Sequence, residues 1–304
     1  MLSYKSGAKR AISHSHIIKS EQFEFSRYTT YGLGGEARVA YIPNNIPQAK
    51  LAYDTLKKEQ IPFKLIGNGS NLLVSDNGFD GGVISTRKLK GLVRLSDDKI
   101  LCLAGTTVGE LLKYCKANCL GGLEYLYGIP ATIGGAAYMN AGVSGYAIGD
   151  NIVSVKVYDG KTTVLPHKIC NFAYRHSTMR DINALILSII VKVDKFSADE
   201  LERRIAYFKE RRKRLPVGRS CGCVFKNPAG VSAGYLIEQA GLKGFTVGGA
   251  TVSNQHASFI INNNGTADDV KRVIEFVKRR VLEKFGVLLE EEVVYIGEFN
   301  EING

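Results

Sequence analysis

The chain has 304 residues, 45% hydrophobic and 23% charged, which excludes a disordered or fibrous protein and leaves room for a large core and two or more domains. Its net charge of +11 favours an anionic partner, whether nucleic acid, a membrane surface or small anionic ligands. The polar start MLSYKSGAKR has no apolar region behind it, and the longest apolar run, 184–191, falls far short of the roughly 20 residues that cross a bilayer. No secretory signal or membrane span is therefore expected, and the location is expected to be cytoplasmic.

Residues 1–25 show little periodicity and read as a lead-in; 27–37 form a glycine-rich turn and 38–42 a strand. Asn45 is placed to cap a helix with Pro47 in its first turn, which stops before Ile61-Pro62. The next stretch, FKLIGNGSNLLVSD, is the centre of the chain. An apolar strand over 63–66 breaks off in Gly67-Asn68-Gly69-Ser70-Asn71, and a second apolar stretch, 72–74, follows at once. Glycines let successive backbone N–H groups converge, and Ser70, Asn68 and Asn71 add side-chain donors, so this turn is either a phosphate cradle or a ligand-free hairpin.

Strands are expected at 83–84 and 101–104. Thr107-x-x-Glu110 is a capping box, and Val108, Leu111, Leu112, Cys115 and Cys119 fall on one helix face, which makes both cysteines core residues. Without a signal peptide, the cysteines at 102, 115, 119, 170, 221 and 223 read as reduced thiols, and no His/Cys cluster remains to hold a metal. The segment 121–150 is too rich in glycine for a long helix. Leu123, Tyr125, Leu126, Ile129 and Ile133 make it too apolar for open loops, so it is expected to wrap a ligand closely.

A hairpin follows, with strands at 152–158 and 162–165 about Asp159-Gly160, then Tyr174-Arg175-His176-Ser177 and a strand at 184–193. Ser197-x-x-Glu200 opens a helix with Leu201, Ile205 and Phe208 inward and the run Arg211-Arg212-Lys213-Arg214 near its end, a run whose plain explanation is a solvated face. A domain boundary is placed here, giving domains 1–197 (core about 27–195) and 198–304. The second part holds a helix at 232–240 closed by Gly241, a strand at 259–261, and a helix capped by Thr266 with Val270, Val273, Ile274, Val277 and Val281 inward and ending at Gly286. A strand at 293–296 completes an α+β pattern.

Taken together, TTYGLGGEA (29–37), LIGNGSNLLVSD (65–76), GLEYLYGIPATIGGAAYMNAG (122–142), YRHS (174–177), SCGCVFKNP (220–228), SAGYLIEQAGLKG (232–244), NQHASFIIN (254–262) and LEEEVVYIG (289–297) resemble the UDP-N-acetylenolpyruvoylglucosamine reductase family. The short passage 176–216 is similar to the family's second type, which lacks a tyrosine-bearing loop. The resemblance implies a vanillyl-alcohol-oxidase/PCMH-type FAD-binding domain followed by a smaller α+β substrate-binding domain. It implies non-covalent FAD, NADPH as hydride donor, reduction of UDP-N-acetylenolpyruvoylglucosamine in peptidoglycan precursor synthesis, and a monomer that binds no nucleic acid.

The resemblance also implies roles for residues. Gly67, Asn68, Gly69, Ser70 and Asn71 would cradle the FAD pyrophosphate, and Gly134, Asn140, Ala141 and Gly142 would line the cofactor. Arg175 and Glu292 would face the developing enolate and its carboxylate, with Cys223 as proton donor where most members carry serine. Glu291 stands where the family usually has proline, which leaves Glu290, Glu291 and Glu292 all open for the carboxylate role. Tyr174, Arg211, Arg214, Lys226, Asn227 and His256 would bind the nucleotide sugar. From the residues alone, Arg175 and Glu292 would be ordinary ion-pair partners, Cys223 a buried thiol and His256 a core histidine. A different oxidoreductase on the same flavin fold would keep 67–71 and 122–142 but would not need Arg175, Cys223 and Glu292. A nucleic-acid binder using the basic helix would need aromatics interleaved with the basic residues, which are lacking.

Overall fold

The computed structural model describes residue 20 and residues 22–143 and 145–300, so the reading of the first ten residues lies outside the described part. A parallel sheet forms first. Strand β1 (Ala37–Tyr41) leads to α1 (Ile46–Lys58), whose N-cap Asn45 accepts the N–H of Gln48, and then to β2 (Phe63–Ile66). After the short β3 (Leu72–Val74), β4 (Phe79–Ser85) inserts between β1 and β2, parallel to both. Phe23 and Phe25 are fully buried in the cluster behind this sheet, with Val74 and Val83, so these two residues belong to the core and not to a lead-in.

A second, antiparallel sheet carries most of the first core. Its strands β5 (Leu92–Arg94) and β6 (Lys99–Leu103) precede α2 (Val108–Ala117), where Thr107 and Glu110 form the expected capping box. Val108, Leu111 and Cys115 are buried, but Cys119 is exposed. The apolar face expected from the sequence runs two residues past the helix end, and Cys119 instead adopts a left-handed φ of 52° as the chain reverses. The glycine-rich segment adds β7 (Leu120–Gly121), the seven-residue helix α3 (Ile133–Met139), β8 (Gly142–Val143) and β9 (Tyr146–Ala147). Leu123, Tyr125, Leu126 and Ile133 are buried and Ile129 is partly so. The sheet is completed by β10 (Ile152–Tyr158), β11 (Thr162–Pro166) and, after the one-turn helices α4 (His167–Cys170) and α5 (Thr178–Asp181), β12 (Leu185–Lys192). Its order is β11-β10-β12-β6-β5.

Beyond β13 (Asp194–Lys195), α6 (Ala198–Lys213) starts at Ser197, whose side chain accepts the Glu200 N–H. The Glu200 carboxylate pairs with Arg203, so it does not turn back to the cap as a full capping box requires. Of the expected inward face, only Leu201 is fully buried; Ile205 and Phe208 are half-buried. Arg204 reaches the buried Glu124 at 3.1 Å, which ties this helix to the first core. Helix α7 (Ala233–Gln239) then leads to the unanticipated hairpin of β14 (Thr246–Val247) and β15 (Ala250–Val252), to which β16 (Ile260–Asn262) adds. Helix α8 (Ala267–Phe285) buries all five expected residues and ends at Gly286 with φ 67°. The last strand, β17 (Val294–Ile296), leaves this second cluster and pairs parallel with β3, Val294 opposite Leu72. The chain thus returns to the strand that follows the 67–71 turn.

Candidate active site

One cavity of about 810 Å³ runs from the 67–71 turn past α3 to Arg175, Cys223 and Glu292. The turn is shaped by close packing. Gly69 has φ 64°, and a Cβ there would overlap the carbonyl oxygen of Tyr28; a Cβ on Gly67 would strike the hydroxyl of Thr132. No described residue accepts a bond from the N–H groups of Asn68, Gly69 or Ser70. Beside them Thr30, also in the cavity wall, has a buried hydroxyl with no partner. Free N–H groups and an orphaned hydroxyl converging on a cavity suit a diphosphate, so these residues fit the pyrophosphate of FAD. Gly134, Ala141 and Gly142 line the same space.

The asparagines act differently from expectation. The Asn68 side chain donates to the Pro130 carbonyl at 2.7 Å, and Asn71 donates to the Glu292 carbonyl at 2.9 Å. Both amides therefore brace the loop. Asn140, at a left-handed φ of 45°, bridges Ala173 and Gly149 behind the cavity wall. Replacing Gly69 with alanine should weaken FAD retention about tenfold or more, since strain and overlap both fall on the cradle, as read by flavin content after gel filtration.

Arg175 is placed by a tight turn. Ala173 and His176 exchange backbone bonds at 3.1 Å, Ser177 donates to the Tyr138 carbonyl, and Arg180 donates to the Arg175 carbonyl at 2.6 Å. Within it Arg175 adopts φ 54°, a conformation most side chains avoid. The guanidinium thereby points inward, 2.8 Å from Glu292 through Nε and bonded through Nη1 to the Gly142 carbonyl. The close Nε contact with Glu292 has no aligned hydrogen bond, and that N–H is buried. Glu292 gets its position from the strand return: Val294 donates to the Asn71 carbonyl, and Glu292 itself donates to Val224. Burial pushes the Glu292 carboxyl up, opposed by Arg175. Its neighbours face elsewhere, Glu290 pairing with Lys226 and Glu291 with Lys278, so Glu292 is the carboxylate the cavity receives.

Cys223 lies opposite Phe259 in an antiparallel bridge and opens into the cavity. Burial raises its thiol pKa; Ser258 pulls it down, Glu292 pushes it up, and Arg175 and Arg212 pull it down again. Arg212 was not anticipated. It lines the cavity with burial lowering its pKa, whereas Arg211 on α6 and Arg214 just past its end are exposed and outside the cavity wall. The signal was present: the inward series Leu201, Ile205, Phe208 continues by four residues to Arg212. Tyr174 is exposed, its hydroxyl accepting the Asn227 N–H; Lys226, Asn227 and His256 also lie outside the cavity wall. His256 is partly buried, stacks edge-on against Phe259, and is held below its usual pKa by burial. Among the described residues no cluster could hold a metal, and no helix is long and apolar enough to cross a membrane.

Comparison with known proteins sorts this arrangement. The FAD binding domain family matches residues 37–166, and the C-terminal domain of UDP-N-acetylenolpyruvoylglucosamine reductase matches 213–296. The class is an oxidoreductase built on a PCMH-type FAD-binding domain followed by a smaller α+β domain. A UDP-N-acetylenolpyruvoylglucosamine reductase from Moorella thermoacetica is 40% identical over 90% of this chain and 91% of its own, and one from Caldicellulosiruptor saccharolyticus is 37% identical over 90% of both. The crystal structure of the corresponding reductase from Thermus caldophilus superposes with a TM-score of 0.77 at 34% identity, covering 92% of this chain and all of that one. The chain belongs to the UDP-N-acetylenolpyruvoylglucosamine reductase family, and FAD is its cofactor.

Proposed function

We propose that the protein reduces UDP-N-acetylenolpyruvoylglucosamine to UDP-N-acetylmuramate with NADPH as hydride donor, supplying peptidoglycan precursor in the cytoplasm, and that it works as a monomer. The observation that carries this reading is the convergence of Arg175, Cys223 and Glu292 on the cavity that begins at the 67–71 turn. Residues 1–197 would hold the cofactor and 198–304 the nucleotide sugar, with α6 and β17 binding the two parts together.

Held along the 67–71 turn and by Gly134, Ala141 and Gly142, FAD would supply hydride transfer from the nicotinamide to the terminal methylene carbon of the enolpyruvyl ether. Negative charge then builds on the adjacent carbon and its carboxylate. Arg175 offsets that charge with a fixed guanidinium in a partly dry site, where it acts more strongly than in water. Glu292, whose carboxyl burial favours in its protonated form, donates a hydrogen bond to the same carboxylate. Cys223 passes its S–H proton to the anionic carbon, which completes the lactyl ether and leaves a thiolate. Arg212 suits an anionic oxygen of the diphosphate, with Arg211, Arg214, Lys226, Asn227, Tyr174 and His256 around the sugar nucleotide. The net charge of +11 then reflects diphosphate ligands and not nucleic acid.

The test is direct. Purified protein should be yellow, bleach with NADPH under anaerobic conditions, and regain colour on addition of the enolpyruvyl nucleotide as UDP-N-acetylmuramate forms. Recovery of colour only with some other acceptor would move the protein to a different activity on the same fold.

A further inference from the structure

We propose that Arg180 is a positioning residue for Arg175, its side chain holding the left-handed turn from which Arg175 enters the cavity. Its consequence for the reaction rests on the role proposed for Arg175. With φ at 54°, Arg175 occupies a backbone state that a residue carrying a Cβ leaves unless its surroundings hold it there. Ala173 and His176 close the turn by exchanging backbone bonds at 3.1 Å, but no backbone N–H among the described residues reaches the Arg175 carbonyl. Arg180 Nη1 supplies that bond at 2.6 Å. A cationic donor makes it one of the stronger kinds of hydrogen bond, and it falls on the strained residue itself.

Arg180 is itself held in place. The Ser177 hydroxyl donates to the Tyr138 carbonyl at 2.7 Å, which ties the start of α5 to α3, and the Arg180 N–H donates to the Ser177 carbonyl at 2.9 Å. The Arg180 guanidinium then lies 6.0 Å from the centre of the Tyr138 ring. Tyr138 lines the cavity and Arg180 does not, so its route to the reacting atoms runs through the Arg175 backbone. The other link between α5 and the turn, His176 to Asp181 at 3.4 Å, joins side chains 36% and 60% exposed and contributes little. Released from Arg180, Arg175 can relax to negative φ, which swings its side chain away from Glu292, now 2.8 Å distant. A guanidinium that must be brought back as charge develops has lost the preorganisation from which such a donor acts.

The experiment compares FAD-loaded parent, Arg180→Ala, Arg180→Lys, Arg175→Ala and the variant with both alanines. Reoxidation of the reduced protein by the enolpyruvyl nucleotide should slow about tenfold in Arg180→Ala, within the range for residues coupled by direct contact. Flavin content and bleaching by NADPH should match the parent, and Arg180→Lys, which keeps a cationic donor, should restore most of the rate. In the Arg175→Ala background the loss of Arg180 should slow the step no further, because the residue it holds is gone. Equal slowing in both backgrounds overturns the proposal, as does an Arg180→Ala protein that has lost its flavin or is reoxidised like the parent, or a lysine variant as slow as alanine. A crystal structure of Arg180→Ala gives a readout free of turnover: Arg175 should leave the left-handed region and stand beyond about 4 Å from Glu292. An unmoved Arg175 there overturns the proposal too. If the parent is not reoxidised by this nucleotide at all, the functional reading fails, while the position of Arg175 in that crystal still decides what Arg180 holds.

Discussion

Replacing Cys223 with alanine is expected to stop formation of the reduced sugar while leaving FAD binding and bleaching by NADPH intact. The thiol lines the cavity in which the proposed reaction would protonate the substrate carbon, and it takes no part in the cradle at 67–71. Loss of a positioned general acid typically slows a step by about 10²–10⁴-fold. Serine at 223 should recover the step to within about tenfold of the parent, because a hydroxyl reaches the same carbon. The two proteins should separate by pH. Burial raises the Cys223 pKa above its ordinary 9.0, so the thiol keeps its proton throughout the neutral range. Activity should therefore fall only as pH rises through that elevated value, where the donor becomes thiolate. The serine variant, whose hydroxyl does not ionise there, should lack this alkaline limb. Equal loss of both half-reactions in the alanine variant would mean that the thiol serves the fold instead.

Arg175→Ala should slow reoxidation by the enolpyruvyl nucleotide about 10²–10³-fold, the scale on which removing one preorganised donor to a developing oxyanion acts. FAD retention should change little. Arg175 touches Gly142 in the cavity wall, but the N–H groups and hydroxyl that suit the pyrophosphate lie elsewhere. A second consequence follows for Glu292. Burial already pushes its carboxyl up and Arg175 is the main opposing influence, so the alanine variant should hold a neutral Glu292 to still higher pH. Lysine at 175 should rescue only part of the rate, since a point charge cannot match the planar fork. Stopped-flow traces of the separate half-reactions check this; a protein purified without flavin would make Arg175 structural instead.

Local signals made much of this fold legible. Helix α8 announced itself through Thr266, Gly286 and five apolar residues at helical spacing, all of them buried. The strand–turn–strand about 67–71 was equally plain, because a glycine turn between apolar runs admits few alternatives. What escaped was non-local or lay at element ends. The pairing of β17 with β3 joins Val294 to Leu72, a contact no window of sequence contains. Without it, Glu292 reads as an ordinary ion-pair partner, and three adjacent glutamates cannot be told apart. In α6 four basic residues in a row suggested one solvated face, yet successive helical residues point about 100° apart, so Arg212 turns inward while Arg211 does not. The residue type of Asn71 suits a ligand donor; only the structure gives its amide to the carbonyl of Glu292. Phe23 and Phe25 were lost in a stretch whose burial depends on the sheet they cover.

In the proposed reaction one cavity holds the flavin and the residues that work beside it. A crystal structure of the FAD-bound protein soaked with the enolpyruvyl nucleotide tests that most directly. The substrate carboxylate is expected against Arg175 and Glu292, with the Cys223 sulfur within hydrogen-bonding reach of the carbon to be protonated. A nucleotide sugar bound away from these side chains, or a flavin elsewhere than the cavity below the 67–71 turn, would contradict it.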